Sequence, residues 1–481
     1  MAKWWVYSTQ WIILQEENRE NMKIENTAEL RIKEIVESQR NFFSSHVTLS
    51  VDFRLAQLKK MQKLLTEWEK PLCDALWKDL HKSMEEAVMT EISIVQGEIK
   101  NHIKHLRRWV KSSRACTPLK MMPSQSKVVS EPLGCTLIIS PWNYPVQLLL
   151  NPLVGAISAG CTAILKASPY VPNVSTVVEQ MISATFPAEY IAVVQGNRQV
   201  NSALLEERFD LIFFTGSPAL GKTVMQAAAK HLTPVVLELG GKSPCVVDEN
   251  ANIKIAARRI AWGKTLNAGQ TCIAPDYLLI HKNCVDKFTE EYGKALHKLH
   301  GADIQKSAHY VRMVNEKAFQ RVASYLNDGT VVLGGNTDAN ELYIEPTLLA
   351  NVAPTAPVMQ EEIFGPVLPM ITFNDRSEAL DFVLEREKPL ALYYFGKKRD
   401  AEEFIHKTSA GGSCINDVIM HIANENIPFG GVGNSGMGSY HGKLSFDAFS
   451  HKRSVVTTTT KIDLPFRYMP YKLFRYIKGL L

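Results

Sequence analysis

The chain has 481 residues, about three times the length of a typical domain, so two or three folding units are expected. Its formal charge of +5 is small for this length, and no basic run is interleaved with aromatic residues, which argues against a nucleic-acid-binding protein. The eight cysteines form no C-x-x-C pair and no zinc-ligand pattern with histidine, which indicates no metal site and a reducing compartment such as the cytoplasm.

Residues 1–26 are interpreted as a leader. The run from Trp4 to Leu14 is apolar but too short to span a bilayer, which takes about 20 apolar residues. The polar residues from Gln15 onward do not form a signal-peptide cleavage site. We therefore expect this segment to be dispensable for activity, with a natural start at Met22.

Helical periodicity dominates the next hundred residues. Asn26 and Glu29 have the spacing of a capping box, which predicts a helix beginning at Asn26. Three stretches carry apolar residues at helical spacing and are expected to face a core: Ile32, Ile35, Val36 and Phe43; Leu58, Met61, Leu65 and Trp68; Ile92, Ile99, Ile103 and Leu106. Prolines and an alternating segment between residues 113 and 134 then predict a hairpin or arm.

From Cys135 onward, short apolar runs alternate with stretches long enough for helices. The runs lie at 135–139, 162–165, 191–194, 211–214 and 235–237, and strand and helix signals repeat from 243 to 373. This alternation is typical of buried parallel sheets, so the predicted fold class is α/β with doubly wound domains. Such sheets bind ligands at the carboxyl ends of their strands.

One loop allows two interpretations. The run predicted as a strand at 211–214 continues into Gly216-Ser217-Pro218-Ala219-Leu220-Gly221-Lys222-Thr223, which has the G-x-x-x-x-G-K-T spelling of a phosphate-binding loop. A glycine-bounded helix N-terminus presents backbone N–H groups to an anion in any case. An NTPase would also need an acid to hold its metal, and Asp248 is the candidate. NTP hydrolysis is thus one alternative, and a catalytically silent cofactor-binding or structural protein is another.

Three residues are candidates for catalysis. Cys272 lies in Asn-Ala-Gly-Gln-Thr-Cys-Ile-Ala-Pro, where small residues and a glycine favour a reactive thiol over a core cysteine. Glu238 lies between two leucines, where desolvation raises the pKa of a carboxyl and suits it to act as a base. Asn143, in Pro-Trp-Asn-Tyr-Pro, could offer an amide to an oxyanion. Taken singly, each also fits a plain structural role.

The motifs occur in a family's order: Pro141-Trp142-Asn143-Tyr144-Pro145, Leu165-Lys166, Phe214-Thr215-Gly216-Ser217, Leu237-Glu238-Leu239-Gly240-Gly241-Lys242, Gly269-Gln270-Thr271-Cys272, Glu361-Glu362-Ile363-Phe364-Gly365-Pro366 and Pro428-Phe429-Gly430-Gly431-Val432-Gly433-Asn434-Ser435-Gly436. Together they resemble the aldehyde dehydrogenase superfamily. The run Ala274-Pro275-Asp276-Tyr277 resembles its family 3, the fatty and aromatic aldehyde dehydrogenases. On this resemblance the glycine loop at 216–221 is a cofactor-facing turn and its phosphate-loop spelling is a coincidence.

The resemblance implies oxidation of an apolar medium-chain or aromatic aldehyde to the carboxylic acid with NAD⁺ or NADP⁺. Cys272 would form a thiohemiacetal and then a thioester, Asn143 and the Cys272 backbone N–H would hold the oxyanion, and Glu238 would activate the hydrolytic water. The implied cofactor-binding residues are Trp142, Lys166, Gly216, Ser217, Gly221, Glu362 and Phe364. Tyr144, Ile419, Met420 and His421 would lie near the substrate, and His441 would contact substrate or pack.

The resemblance also implies an architecture. A Rossmann-like cofactor-binding domain is expected over 27–240, with an arm at about 113–134, followed by a catalytic domain over 241–412 and a return to the cofactor domain over 413–481. The arm, paired with a segment near 450–460, would form a small β unit for homodimerisation. The basic tail from Lys461 to Leu481 is expected to dock on protein rather than on a membrane surface.

Pro169 departs from the family pattern. Many members carry a glutamate three residues after the lysine, which accepts from the adenosine ribose 2′-hydroxyl and repels a 2′-phosphate. Without that charge, we expect both NAD and NADP to be used. Pro218 within the glycine turn is a second departure.

Overall fold

The computed structural model describes residues 24–463, 465, 468–471 and 474–479. The predictions for residues 1–23 and for part of the basic tail lie outside these residues. The helices are α1 (Glu29–Ser44), α2 (Val51–Glu67), α3 (Glu69–Leu80), α4 (Met84–Ala87), α5 (Ser93–Trp109), α6 (Gln147–Ala159), α7 (Pro172–Ser183), α8 (Arg198–Glu206), α9 (Pro218–Ala229), α10 (Ile253–Thr265), α11 (Val285–His300), α12 (Glu316–Ser324), α13 (Arg376–Leu384), α14 (Lys398–Lys407), α15 (Lys443–Ala448) and α16 (Phe474–Ile477).

The strands are β1 (Ser113–Ala115), β2 (Gln125–Pro132), β3 (Cys135–Ile139), β4 (Thr162–Lys166), β5 (Ile191–Val194), β6 (Leu211–Thr215), β7 (Val235–Glu238), β8 (Pro244–Val247), β9 (Tyr277–His281), β10 (Thr330–Leu333), β11 (Thr337–Asp338), β12 (Tyr343–Ile344), β13 (Thr347–Ala350), β14 (Val367–Phe373), β15 (Ala391–Phe395), β16 (Gly412–Ile415), β17 (Gly436–Met437) and β18 (Ser450–Thr457). The predicted α/β class is confirmed, and the runs predicted as strands between 135 and 281 are strands to within one residue at each end.

The first sheet has the order β17-β7-β6-β3-β4-β5, with β17 antiparallel and the other five strands parallel. The chain runs outward through β3, β4 and β5 and then returns to place β6 and β7 on the other side of β3. The strand order therefore reverses between β3 and β6, and the carboxyl edge at such a reversal is where α/β sheets bind ligands. Helix α6, apolar all round and buried along its whole length, packs against this sheet.

The second sheet has the order β10-β13-β14-β9-β8-β15-β16, and all of its strands are parallel except β10. Residues 239–243 connect β7 of the first sheet directly to β8 of the second. Because this link is short, the carboxyl end of β7 lies close to the amino end of β8, and the two sheets meet at these opposite ends.

A third, small sheet is formed by β1, β2 and β18, all antiparallel. The predicted pairing of the arm with a segment near 450–460 therefore occurs, over eight residue pairs between β2 and β18. Within the part of the chain that the structure describes, no helix is long and apolar enough to cross a membrane.

The predicted capping box at Asn26 is wrong. Helix α1 begins at Glu29, and its N-cap residue is Ala28, which offers no side-chain cap. The Asn26 side chain instead accepts a hydrogen bond from the Asn197 backbone N–H at 2.9 Å, so a long-range contact replaces the local one. Phe43, Trp68 and Ile103 are only half-buried, whereas the other residues of the three predicted apolar faces are buried.

Candidate active site

The carboxyl edge of the first sheet carries most of the predicted site residues. Trp142 and Asn143 follow β3, Lys166 ends β4, Gly216 follows β6 and Glu238 ends β7. These strands are neighbours in the order β7-β6-β3-β4, so their carboxyl ends form one continuous rim.

Cys272 comes from the second sheet, in the loop between α10 and β9. The loop contains three consecutive residues with positive φ angles on the amino-terminal side of Cys272. They are Asn267, Ala268 and Gly269, at 52°, 51° and 73°. Left-handed backbone is unfavourable for the first two, so surrounding contacts must hold this turn. A Cβ on Gly269 would lie 2.3 Å from the Gly365 carbonyl oxygen, so this position also needs glycine for space.

Buried hydrogen bonds join the cysteine loop to the loop after β3. The Asn143 Nδ2 donates to the Gln270 carbonyl at 3.0 Å, and the Asn267 Nδ2 donates to the Asn143 carbonyl at 2.9 Å. The Tyr144 hydroxyl lies 2.7 Å from the Thr271 hydroxyl. The Asn143 amide thus has one of its two N–H groups engaged within the protein, and the second is left for a ligand.

The Cys272 side chain is half-buried and packs against the hydrophobic core. Burial raises the pKa of its thiol, and the nearby carboxyls of Glu362 and Glu238 raise it further. The resting side chain is therefore a neutral thiol at neutral pH, and forming the thiolate requires a base.

Glu238 is 3% exposed, and neither carboxylate oxygen has a hydrogen-bond partner among the residues that the structure describes. Burial raises the pKa of this carboxyl well above its ordinary value. Its backbone carbonyl accepts from the Gly216 N–H at 3.0 Å, and it pairs with Gly436 across the sheet. A fixed backbone with an unsatisfied carboxyl is the arrangement expected of a proton-transferring group.

Glu362 reaches the same region from the loop before β14. A Cβ on Gly240 would lie 1.9 Å from Glu362 Oε2, so the carboxylate packs directly on the glycine backbone. Its Oε1 is buried without a hydrogen-bond partner in the described chain, and burial raises its pKa to about 8.

The loop that carries Glu362 is held by charged side chains. The Lys242 Nζ donates to the Val358 and Glu361 carbonyls, each at 2.8 Å, and pairs with Asp276. Asp276 accepts from the Ile363 N–H at 2.9 Å, and Arg321 donates to the Glu362 carbonyl at 3.2 Å. Lys242 and Asp276 belong to motifs noted in the sequence, but their part in holding this loop depends on contacts 34 to 119 residues apart.

The remaining predicted cofactor residues lie around this centre. The Phe364 and Trp142 rings meet edge to face at 5.3 Å. Lys166 is buried, donates to the Ala167 carbonyl at 2.7 Å, and has its pKa lowered to about 8 by burial. Gly221 is buried in the first turns of α9, against Leu239.

The glycine loop does not have the form of a phosphate-binding loop. Ser217 is the N-cap of α9 and Pro218 its first residue, so Gly216-Ser217 is a short turn and Ala219 to Thr223 are helical. Proline is well suited to this first position, which explains the second departure noted in the sequence. Asp248, the proposed metal holder, follows β8 of the other sheet, and its carboxylate pairs with Arg376 and accepts from Tyr394.

Three of the predicted substrate residues are apolar or aromatic. Tyr144 and Ile419 are buried, whereas Met420 is 49% exposed. The His421 and His441 rings both stack on Phe429, at 5.9 Å and 5.3 Å. Burial lowers the pKa of His421 to about 4, so this imidazole is neutral at neutral pH.

Comparison with known proteins gives consistent results. The model of the aldehyde dehydrogenase family matches residues 13–455. The chain is 47% identical over 442 residues to a 4,4'-diaponeurosporen-aldehyde dehydrogenase of Staphylococcus aureus, covering 91% of this chain and 96% of that protein. It is 43% identical over 443 residues to a dimeric NADP-preferring aldehyde dehydrogenase of Canis lupus familiaris, covering 92% and 98%.

Solved structures are also similar. The substrate-bound state of Staphylococcus aureus AldH superposes with a TM-score of 0.92 at 45% identity, over 93% of this chain and 99% of that one. An indole-3-acetaldehyde dehydrogenase in complex with NAD⁺ gives a TM-score of 0.82 at 26% identity, over 90% of each chain.

Proposed function

Because the chain belongs to the aldehyde dehydrogenase family, we propose that it oxidises apolar medium-chain or aromatic aldehydes to carboxylic acids with NAD⁺ or NADP⁺ at Cys272. The single observation that carries the proposal is the unpaired Glu238 carboxyl, which lies near the Cys272 thiol at the junction of the two sheets. Membership of the family accounts for the fold, and Cys272 and Glu238 supply the nucleophile and the base of the proposed reaction.

The first step is formation of the thiolate and its attack on the aldehyde carbonyl. Glu238, with its raised pKa, accepts the Cys272 proton more readily than an ordinary carboxylate would. The sulfur adds to the carbonyl carbon, and the free N–H of Asn143 and the Cys272 backbone N–H stabilise the oxyanion. Such a preorganised donor contributes roughly 3 to 4 kcal/mol to the transition state.

When bound, NAD⁺ or NADP⁺ would accept a hydride from this adduct, which would leave a Cys272 thioester. Glu238 releases to solvent the proton that it took from Cys272 and can then accept a second proton from water. The resulting hydroxide adds to the thioester carbonyl, and the carboxylic acid leaves as Glu238 returns this second proton to the Cys272 sulfur. Since the Glu238 carboxyl oxygens have no hydrogen-bond partner among the described residues, the carboxyl is available to contact either the thiol or the water.

The described residues fit a dinucleotide. Glu362 Oε1 is a buried acceptor that lacks a donor, as expected of a group that receives ribose hydroxyls. Lys166, at the end of β4, would donate to the adenosine ribose, and the rim from Trp142 to Gly216, Ser217 and Gly221 would hold the rest of the cofactor, with Phe364 beside the nicotinamide. Pro169 supports the use of both NAD and NADP, because no carboxylate at this position repels a 2′-phosphate.

The apolar or aromatic character of Tyr144, Ile419 and Met420, which the family resemblance assigns to the substrate, supports the proposed substrate class. We also propose a homodimer formed through the β1-β2-β18 sheet, supported by the similarity to the dimeric NADP-preferring aldehyde dehydrogenase of Canis lupus familiaris and by the exposed outer strand β18. The eight unpaired cysteines support a cytoplasmic location.

The test is reduced-cofactor absorbance at 340 nm with a panel of aldehydes of increasing chain length, comparing the protein with Cys272→Ala. An aldehyde-dependent signal that the variant lacks is expected. A signal that persists in the variant would exclude the thioester mechanism, and activity restricted to small polar aldehydes would exclude the proposed substrate class.

A further inference from the structure

Ten residues between α3 and α5 carry three buried charged side chains. Lys82 and Glu91 are each 0% exposed, and Glu86 is 7% exposed. Lys82 Nζ lies 2.6 Å from Glu91 Oε1. Buried ion pairs of this kind are often no more stabilising than apolar residues of the same volume, because desolvation offsets the attraction. A contribution to stability therefore does not explain three of them together.

Their partners are the two loops of the active site. Lys82 Nζ donates to the Asn143 carbonyl at 3.1 Å and lies 4.3 Å above the Tyr144 ring. The other oxygen of Glu91 accepts from the Val146 N–H at 2.8 Å. The ion pair thus contacts the loop between β3 and α6 at two points, the Asn143 carbonyl and the Val146 N–H.

Glu86 acts on the cysteine loop. Its Oε1 accepts from the Asn267 backbone N–H at 2.8 Å. Asn267 is the first residue of the left-handed turn, and its side-chain Nδ2 donates to the Asn143 carbonyl, which also accepts from Lys82. The Asn143 carbonyl is therefore the point where both sets of contacts meet.

The local backbone explains how one short segment reaches both loops. Glu86 lies in α4, and Glu91 in the π-helical turn Val88–Ile92 that follows. A π-helical turn inserts an extra residue into the helix and re-aims the side chains after it, and such turns are common at functional sites.

We propose that Lys82, Glu86 and Glu91 are positioning residues that fix the Asn143 amide relative to the Cys272 sulfur. None of them needs to touch substrate. This inference rests on the proposed function, because it gives the amide of Asn143 the part of oxyanion donor.

Glu86 gives the sharpest test, because the hydrogen bond that its side chain accepts from the Asn267 N–H can be removed or kept. Glu86→Ala removes the acceptor for Asn267, whereas Glu86→Gln keeps an oxygen in place. We expect the first-turnover rate of reduced-cofactor formation to fall about tenfold or more in Glu86→Ala, in line with the sensitivity of catalysis to small displacements, and to stay within about threefold of the unmodified protein in Glu86→Gln.

Asp210→Ala is the matched control. Asp210 is a carboxylate that accepts from the Cys135 N–H at 2.8 Å, at the amino end of the first sheet and away from the site. The Asp210→Ala substitution should lower the melting temperature without lowering the first-turnover rate. An equal fall in rate in Asp210→Ala and Glu86→Ala, or an equal fall in Glu86→Gln and Glu86→Ala, would overturn the proposal.

A double-mutant cycle with Asn143→Ala separates positioning from general destabilisation. If Glu86 acts through the Asn143 amide, Glu86→Ala should lower the rate no more than about threefold further once Asn143 is alanine. If the fall in rate of the double variant equals the product of the two single falls in rate, the positioning role is overturned while the proposed function stays intact. If Asn143→Ala alone leaves the rate unchanged, the proposed oxyanion role fails, and this inference fails with it.

Asn267→Gly is the second test variant, to be used if the Glu86→Ala protein does not fold. Glycine relieves the left-handed backbone at this position and removes the side-chain amide that donates to the Asn143 and Gln270 carbonyls, at 2.9 Å and 3.0 Å. We expect the same loss of rate and the same non-additivity with Asn143→Ala. A rate equal to that of the unmodified protein would overturn the proposal.

Discussion

Glu362 should make the stability of this protein fall as the pH rises. The ordinary pKa of a glutamate is 4.5, and burial against Gly240 raises that of Glu362 to about 8. Above pH 4.5 the unfolded chain has lost this proton while the folded chain still binds it. The folded state is therefore penalised increasingly up to about pH 8 and by a constant amount above that.

The size of this penalty follows from the pKa difference. Each pKa unit corresponds to about 1.4 kcal/mol, so the full rise amounts to an upper limit of about 5 kcal/mol. Glu362→Gln removes the ionisation and keeps the shape. Relative to the unmodified protein, the variant should gain stability between pH 5 and pH 9, by up to about 4 kcal/mol.

The assay is urea denaturation of the cofactor-free protein at pH 5, 7 and 9, comparing midpoints. Asp276, Lys242 and Arg321, whose charges act on Glu362, are present in both proteins, so the comparison isolates the Glu362 carboxyl. Glu361→Gln removes an exposed neighbouring carboxylate and is the matched control. A stability difference that is constant from pH 5 to 9, or that grows equally in the control, would refute the desolvation of Glu362.

Other substitutions test the remaining groups of the site. Glu238→Gln should slow both thiolate formation and thioester hydrolysis, so that steady-state turnover falls about 10² to 10⁴-fold; normal turnover would exclude Glu238 as the base. Gly240→Ala places a Cβ 1.9 Å from Glu362 Oε2 and should raise the KM for the cofactor at least about tenfold, with the KM for aldehyde as the internal control. Pro169→Glu should lower kcat/KM for NADP at least about tenfold while sparing NAD; an equal fall with both cofactors would contradict the repulsion argument.

The sequence predicted the sheets better than the helix ends. Strands such as β3 and β4 are buried on both faces and consist of apolar or small residues except for Lys166 at the end of β4, so their limits show directly in the sequence. The start of α1 was predicted wrongly because Asn26 satisfies its side chain on Asn197, 171 residues away. A local pattern cannot distinguish these two partners.

Only some residues of the site could be predicted from the sequence, because the others depend on contacts between distant parts of the chain. Cys272, Glu238 and Asn143 lie in short motifs whose chemistry can be recognised locally. Lys82 and Glu86 have no such signal, since charged residues in a helical stretch usually face solvent. Their burial depends on contacts 61 and 181 residues away, which only the folded chain reveals.

The junction of the two sheets explains why so many charged groups surround one cysteine. Glu238 approaches from the carboxyl end of β7, whereas Cys272 and Glu362 precede the amino ends of the adjacent strands β9 and β14. Only residues 239–243 connect the two sheets at this point. The distance from Glu238 to Cys272 therefore depends on the side-chain contacts that fix one sheet relative to the other. Lys242 pairs with Asp276 within this region, and Lys82 and Glu86 connect the loops on the other side. The buried charges thus lie where a rigid relation between the two sheets matters most for the reaction.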